Sequence, residues 1–169
     1  MSAAGYRGIS FDARLAAVAA MGFAGLVLAI GQIMEHAFGH EPCPLCLMQR
    51  IWFLIAGLVA AFALADDPRR PVWALLLALA ALVGAGFSIR QLWLQSLPAD
   101  QVPACTVPID LMLQNGYPGE DIIRAMTSGT GECANVGWTF LGLSFAGWAL
   151  VGFFMLVGLA LLQHRLRRA

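Results

Sequence analysis

Residues 71–89 read PVWALLLALAALVGAGFSI, nineteen residues without one charged side chain. Coiled as a helix at about 1.5 Å per residue, such a run covers roughly 28 Å, close to the hydrocarbon thickness of a bilayer. Residues 15–34 form a second charge-free run, of twenty, and residues 137–163 a third, long enough to cross with tilt or to overhang. The run 51–65 has only fifteen residues, or about 22 Å of helix, which is too short to cross. It becomes adequate if its helix begins near Pro44, and that start draws Arg50 into the membrane or its outer edge.

Composition agrees with this reading. Of 169 residues, 60% are hydrophobic and 12% charged, against about a quarter charged in ordinary globular domains. A chain so short and apolar cannot hide these residues in one water-soluble core, so a soluble enzyme, a nucleic-acid binder and a disordered protein are excluded. The expected fold is an all-α membrane protein, one membrane domain over residues 1–169. Four transmembrane helices form a bundle, with spans near 15–35, 44–65, 71–93 and 138–162. Outer loops near 36–43 and 94–137 join them, the second being the long loop between helices three and four. Neither internal repeats nor low-complexity tracts interrupt this plan.

The ten basic residues, all arginine, balance ten acids, so orientation rests on where they lie. Arg7, Arg14, Arg69, Arg70, Arg165, Arg167 and Arg168 all fall on one side of a four-span bundle. By the positive-inside rule that side is the cytoplasm, with both termini. The long loop, with Asp100, Asp110, Glu120, Asp121 and Glu132 against Arg124, faces out. A cleaved signal peptide is the competing reading of the N-terminus, but its first apolar run is longer than a usual h-region.

All four cysteines then lie outside. Confined to an oxidising compartment, an even number of thiols reads first as two disulfides. A Cys105–Cys133 bridge has a good structural reading, since closing that loop stabilises by roughly 3–4 kcal/mol in the chain-entropy model. A Cys43–Cys46 bridge closes a small ring and removes little chain entropy. Its C-x-x-C spacing is a redox arrangement, with Cys43 at the expected helix N-cap and Pro44 at the first helical position. There the unpaired amides and the helix dipole favour a thiolate. A Cys₄ zinc site, or metal on His36 and His40, is a weaker alternative, because the second cysteine pair lacks knuckle spacing.

Arg50 follows Cys46 by one helical turn. It either snorkels to the headgroups or sets a positive charge and five donors beside Cys46, suited to an oxygen-bearing ligand. Arg90 reads as an interfacial anchor or the partner of a loop acid, and Trp52, Trp93, Trp138 and Trp148 as an aromatic belt. In the long loop, Ile109, Leu111, Met112, Leu113, Ile122, Ile123 and Met126 suit either a short amphipathic helix on the bilayer or packing beneath the loop's own disulfide. The sequence carries no dinucleotide-binding glycine fingerprint, and Leu47 after Cys46 excludes the haem motif C-x-x-C-H.

CPLCLMQR at 43–50, LQSLP at 94–98, PAC at 103–105, GEC at 131–133 and WTFLGLS at 138–144 together resemble the disulfide bond formation protein B (DsbB) family, over about residues 15–163. The resemblance implies a multi-pass protein of the bacterial inner membrane that reoxidises a periplasmic, thioredoxin-fold thiol oxidase of the DsbA type. Two electrons pass on to a membrane quinone, ubiquinone or menaquinone. It further implies that Cys105 of the pair Cys105–Cys133 forms the mixed disulfide and that electrons move to Cys43–Cys46. Cys46 would then face the quinone with Arg50 beside its oxygen. Gln91 stands where many members carry a histidine, a position implied to bind quinone; an amide still hydrogen-bonds there but does not titrate. A thiol reductase running electrons outward, or a scaffold with two structural disulfides, uses the same cysteines and is the alternative.

Overall fold

A computed structural model describes residues 13–39, 42–105, 107 and 109–166. Arg7, His40, Arg167 and Arg168 therefore lie outside the described residues. Four long helices dominate: α1 (Ala13–Phe38), α2 (Pro44–Ala65), α3 (Pro71–Gln95) and α6 (Phe145–Leu166). Each is long and apolar enough to cross a bilayer. Large side chains point outward: Phe62, Leu75 and Leu161 are 60%, 59% and 57% exposed. An outward apolar surface of this kind fits lipid, where helices satisfy their own backbone groups. The chain is a multi-pass membrane protein.

The helices pack around the ring α1–α2–α3–α6, with α6 closing back on α1. Hydrocarbon does not drive apolar helices together, so close packing of small residues must. Ala20, Ala56, Ala60, Ala80, Ala81, Ala85 and Ala160 fill the shared core, and the rings of Phe53 and Phe153 stack across it with centroids 4.0 Å apart. Gly84 on α3 is where the Phe153 ring lies against the backbone, and a β-carbon there would overlap it. Since Phe153 is fully buried, its ring has little room to retreat. Gly84→Ala is expected to destabilise the bundle by about 1–3 kcal/mol, read as a lower Tm in detergent, with Phe153→Leu restoring part of the loss in the double variant.

Helix ends explain the boundaries. α1 runs three residues past its expected end and stops where Gly39 takes φ +67, donating its N–H to Glu35 O at 3.0 Å. This is a left-handed helix stop that glycine adopts without strain. Pro44 and Pro71 open α2 and α3, as the fixed φ of proline favours.

The fourth span begins later than its apolar run. Instead of helix from residue 138, Thr139–Phe140 (β1) pairs antiparallel with Leu143–Ser144 (β2), and α6 starts at Phe145. Leu141 and Gly142 turn the chain with φ 51 and 81, the doubly positive turn that suits tight hairpins. Apolarity alone does not distinguish helix from strand, which is why the run misled. The hairpin is pinned by the Trp148 indole, whose Nε1 donates to Phe140 O at 3.0 Å.

The long loop folds as two short helices, α4 (Ile109–Gln114) and α5 (Gly119–Ser128), then a 3-10 turn over Gly131–Ala134. α5 docks on α2. Within the loop Met112 and Ala125 are buried, whereas Leu113 and Ile123 stay exposed. Of the apolar residues noted in this loop, Met112 packs inward while Leu111, Leu113 and Ile123 face outward. Gly129, at φ +77, lets the chain press on Leu45 and Leu94 where a β-carbon would collide. Among the described residues Arg90 meets loop backbone and an aromatic ring: its Nε donates to Ser128 O at 3.2 Å, and its guanidinium lies 4.4 Å from the Trp93 ring centre. It thereby ties the end of α5 to α3.

Candidate functional site

The N-terminal end of α2 brings three sulfurs together, those of Cys43, Cys46 and Cys133. Cys43 is the helix N-cap, and its Sγ accepts the Cys46 N–H at 3.4 Å. The first amides of a helix have no intrahelical partner. Here the amide of Cys46 serves Cys43, and the amide of Leu45 serves Cys133. The two expected disulfides are not formed; all four cysteines are thiols. Cys43 Sγ and Cys46 Sγ stand 2.8 Å apart.

Cys133 is fully buried between Leu45 and Leu94 and hydrogen-bonds with Cys43. Cys105 is exposed, with its sulfur close to Gly131. The Gly131 N–H donates to Ala104 O at 3.3 Å and joins the two arms of the loop. A side chain at Gly131 would collide with the Pro103 carbonyl, so the glycine permits this approach. The loop thus offers one cysteine to solvent and presses the other on the helix cap.

The hydrogen bond to Cys133, the contact with Cys46 and burial all push the Cys43 thiol up. Donation from Cys43, then from the amides of Leu45 and Thr130, brings Cys133 down to about 6 despite burial, which opposes it. In the reduced protein this favours the thiolate form of Cys133. That thiolate is expected to persist above pH 6 and to be lost as pH falls through about 6. Thiolate ultraviolet absorbance checks this: the step should vanish in Cys133→Ser, and in Cys43→Ala, which lacks the donor, should move to higher pH.

On the other side of the pair lies a cavity of about 540 Å³ between α1, α2 and α6. Cys46, Gln49 and Arg50 give it a polar edge, and Phe23, Met34 and Phe53 belong to its apolar wall. The hairpin and α6 add Trp138, Phe140, Phe145 and Trp148, with Trp138 stacked on Phe145 at 4.6 Å between ring centres. Two of the tryptophans expected in an aromatic belt thus wall a pocket.

Arg50 does not snorkel freely. Its guanidinium reaches across to α1, pairs with the Glu35 carboxylate, and donates to Gln32 Oε1 at 3.2 Å and Gly31 O at 3.0 Å. A β-carbon on Gly31 would sit 3.3 Å from Arg50 Nε, so the glycine leaves room for the guanidinium. Glu35 escaped the sequence reading, although an acid at the end of an apolar span calls for a partner.

Gln91 does not line this cavity. It is buried on the α3 side of the cysteines, with Nε2 3.3 Å from Cys43 Sγ and 3.2 Å from Cys46 Sγ. Its Oε1 accepts from Gln49 Nε2 at 2.8 Å. Gln49, also missed, sits next to Arg50 in the C-x-x-C-x-x-Q-R run and touches both cavity and Gln91.

The family model described as "Disulfide bond formation protein DsbB" matches residues 13–163. A Disulfide bond formation protein B of Marinobacter nauticus is 50% identical over 141 residues, covering 82% of this chain and 83% of the relative. One from Stutzerimonas stutzeri is 44% identical over 148 residues, 85% of this chain and 88% of the relative. Disulfide bond formation protein B 1 of Pseudomonas aeruginosa is 40% identical over 139 residues, 80% and 84% of the two chains.

The chain belongs to the DsbB family. The match takes in all four cysteines, Arg50, Gln91 and all but the end of α6 among the four long helices. As a DsbB protein the chain is a membrane protein of disulfide bond formation, and its cysteines are the groups equipped for that chemistry.

Proposed function

We propose that this protein is a thiol:quinone oxidoreductase that reoxidises a DsbA-type periplasmic partner and passes two electrons through its cysteine pairs to a membrane quinone. One observation carries this reading: Cys43 meets the loop cysteine Cys133 while Cys46, bonded to the same helix cap, lines an apolar cavity. The cysteine pair therefore stands between an entry from solvent and a lipid-like pocket.

Thiolate attack accounts for the transfer. The partner's thiolate attacks exposed Cys105 in an oxidised Cys105–Cys133 pair; a partner–Cys105 bond forms, and Cys133 leaves with the electron pair. The Cys133 thiolate attacks Cys43 of the oxidised Cys43–Cys46 pair. A Cys133–Cys43 bond forms, and Cys46 leaves as a thiolate on the cavity wall. The partner's second thiol then displaces Cys105, leaving the partner oxidised. Cys105 in turn attacks Cys133, which restores the loop disulfide and frees Cys43 as a thiol.

Residues at the cavity fit a quinone: aromatic and aliphatic walls suit a planar ring with a hydrocarbon tail, and Arg50 donors suit a carbonyl oxygen. Bound there, a quinone supplies the two-electron acceptor for the Cys43–Cys46 dithiol. Arg50, with Cys46 on the same wall, would hold it; Gln91 lies behind the sulfurs and supports them instead.

We place the cysteine side in the periplasm and both termini in the cytoplasm of a bacterial inner membrane, from the arginine pattern. Labelling of Cys105 by an impermeant thiol reagent in intact spheroplasts tests this; protection until lysis would reverse the orientation. The activity is tested by mixing reduced DsbA-like protein with the purified membrane protein and a soluble quinone analogue. Loss of the quinone absorbance in step with partner oxidation supports the proposal. No quinone reduction would leave the cysteines as structural staples, and net reduction of an oxidised partner would make the protein a reductase.

A further inference from the structure

The two buried glutamines have no place in the exchange steps above. Burying an amide is costly unless its polar atoms are bonded; these two bond to one another, and Gln91 bonds to the reacting sulfurs as well. Gln49 Nε2 donates to Gln91 Oε1 at 2.8 Å. That contact anchors the carbonyl end of Gln91, which the Cys46 thiol also reaches at 3.6 Å, and leaves the Gln91 NH₂ facing the cysteines, 3.2 Å from Cys46 Sγ and 3.3 Å from Cys43 Sγ. Gln49 and Gln91 are 5% and 3% exposed, so water competes poorly for these bonds.

We propose that Gln91, held in register by Gln49, is the hydrogen-bond donor that stabilises the negative sulfur left when the Cys43–Cys46 disulfide opens. This rests on the reading that the pair cycles between disulfide and dithiol. When a thiolate attacks Cys43, the Cys43–Cys46 bond breaks and its electron pair stays on Cys46 Sγ. An N–H aimed at that atom gains strength as charge arrives, because bonds to charged acceptors are roughly twice as strong as neutral ones. A disulfide sulfur is a weak acceptor and gains much less. Gln91 therefore favours the reduced form of this pair and makes it more oxidising. Gln49 is a positioning residue: without it the Gln91 amide can turn its carbonyl to the sulfurs.

The test uses the full chain in detergent with Cys105→Ser and Cys133→Ser, so that one couple remains. It is equilibrated with dithiothreitol buffers without quinone or partner, and the reduced fraction is counted by alkylation and mass. Gln91→Leu is expected to shift the equilibrium about tenfold toward the disulfide, equivalent to a potential about 30 mV more negative. Gln49→Leu should shift it the same way by less, and Gln91→His, which restores a ring N–H donor, should recover part of the loss. If Gln91→Leu does not fold, the isosteric Gln91→Glu, which accepts rather than donates, should shift the equilibrium in the same direction. An unchanged equilibrium in Gln91→Leu or Gln91→Glu overturns the proposal, and no shift in Gln49→Leu removes the positioning role. This equilibrium is read without quinone, so its failure is distinct from a failure of quinone turnover in the unmodified protein.

Discussion

Cys46→Ser is expected to abolish quinone reduction, with turnover falling roughly a thousandfold or more, as happens when one member of a covalent relay is removed. Cys46 is the cysteine on the cavity wall, and a serine hydroxyl there can neither form the disulfide nor leave as a thiolate. The variant should also reveal the order of transfer. Cys133 hydrogen-bonds with Cys43, so mild oxidation should join these two. Without Cys46, the resolving thiol of the helix cap is gone, and a Cys43–Cys133 cross-link should accumulate. Non-reducing electrophoresis followed by peptide mass analysis reads this directly. Cys43→Ser should lose quinone reduction equally but form no such cross-link. A Cys46→Ser protein that still reduces quinone analogue would end the assignment of Cys46 as the exit.

Arg50→His should raise the apparent quinone KM by roughly ten- to a hundredfold, the range of a lost hydrogen bond to or from a charged group. Arg50 lines the cavity and is held to α1 by Glu35, Gln32 and the Gly31 carbonyl. Imidazole is too short to keep all of these contacts. On the proposed route, mixed-disulfide formation with the partner is assigned to exposed Cys105 and should be unchanged. Glu35→Gln preserves an acceptor for the guanidinium and should raise KM by much less. The Arg50 and Glu35 side chains are 25% and 31% exposed, so solvent screening keeps the pair's contribution to stability small. Separate measurement of quinone KM and of the partner half-reaction decides the matter. Equal losses in both would remove Arg50 from the quinone site and leave it an anchor between α1 and α2.

Much of this was legible in local pattern. The apolar run 51–65 is too short to cross alone, which sets a helix start near Pro44, and α2 begins there. The same deduction drew Arg50 into the membrane edge. The hairpin at residues 139–144 was not legible, because Trp138, Phe140 and Leu143 are as apolar as a helix requires and only the positive φ at Leu141 and Gly142 turns the chain. Gln91 was assigned to the quinone from its place in the motif order. Its side chain points at the sulfurs, a choice set by which face of α3 meets α2.

Hydropathy and cysteine spacing, both properties of neighbouring residues, determined by themselves a four-span membrane chain with a redox-type cysteine pair at a helix mouth. Three things were left to the tertiary structure: that Cys133 is pressed on Cys43, that Glu35 closes on Arg50, and that hairpin and helices enclose a cavity beside Cys46. Each joins residues distant in the chain through helix rotation and loop docking. Single-span hydrophobicity cannot encode those relations, because in lipid every apolar face is equally at home until small residues select which faces meet.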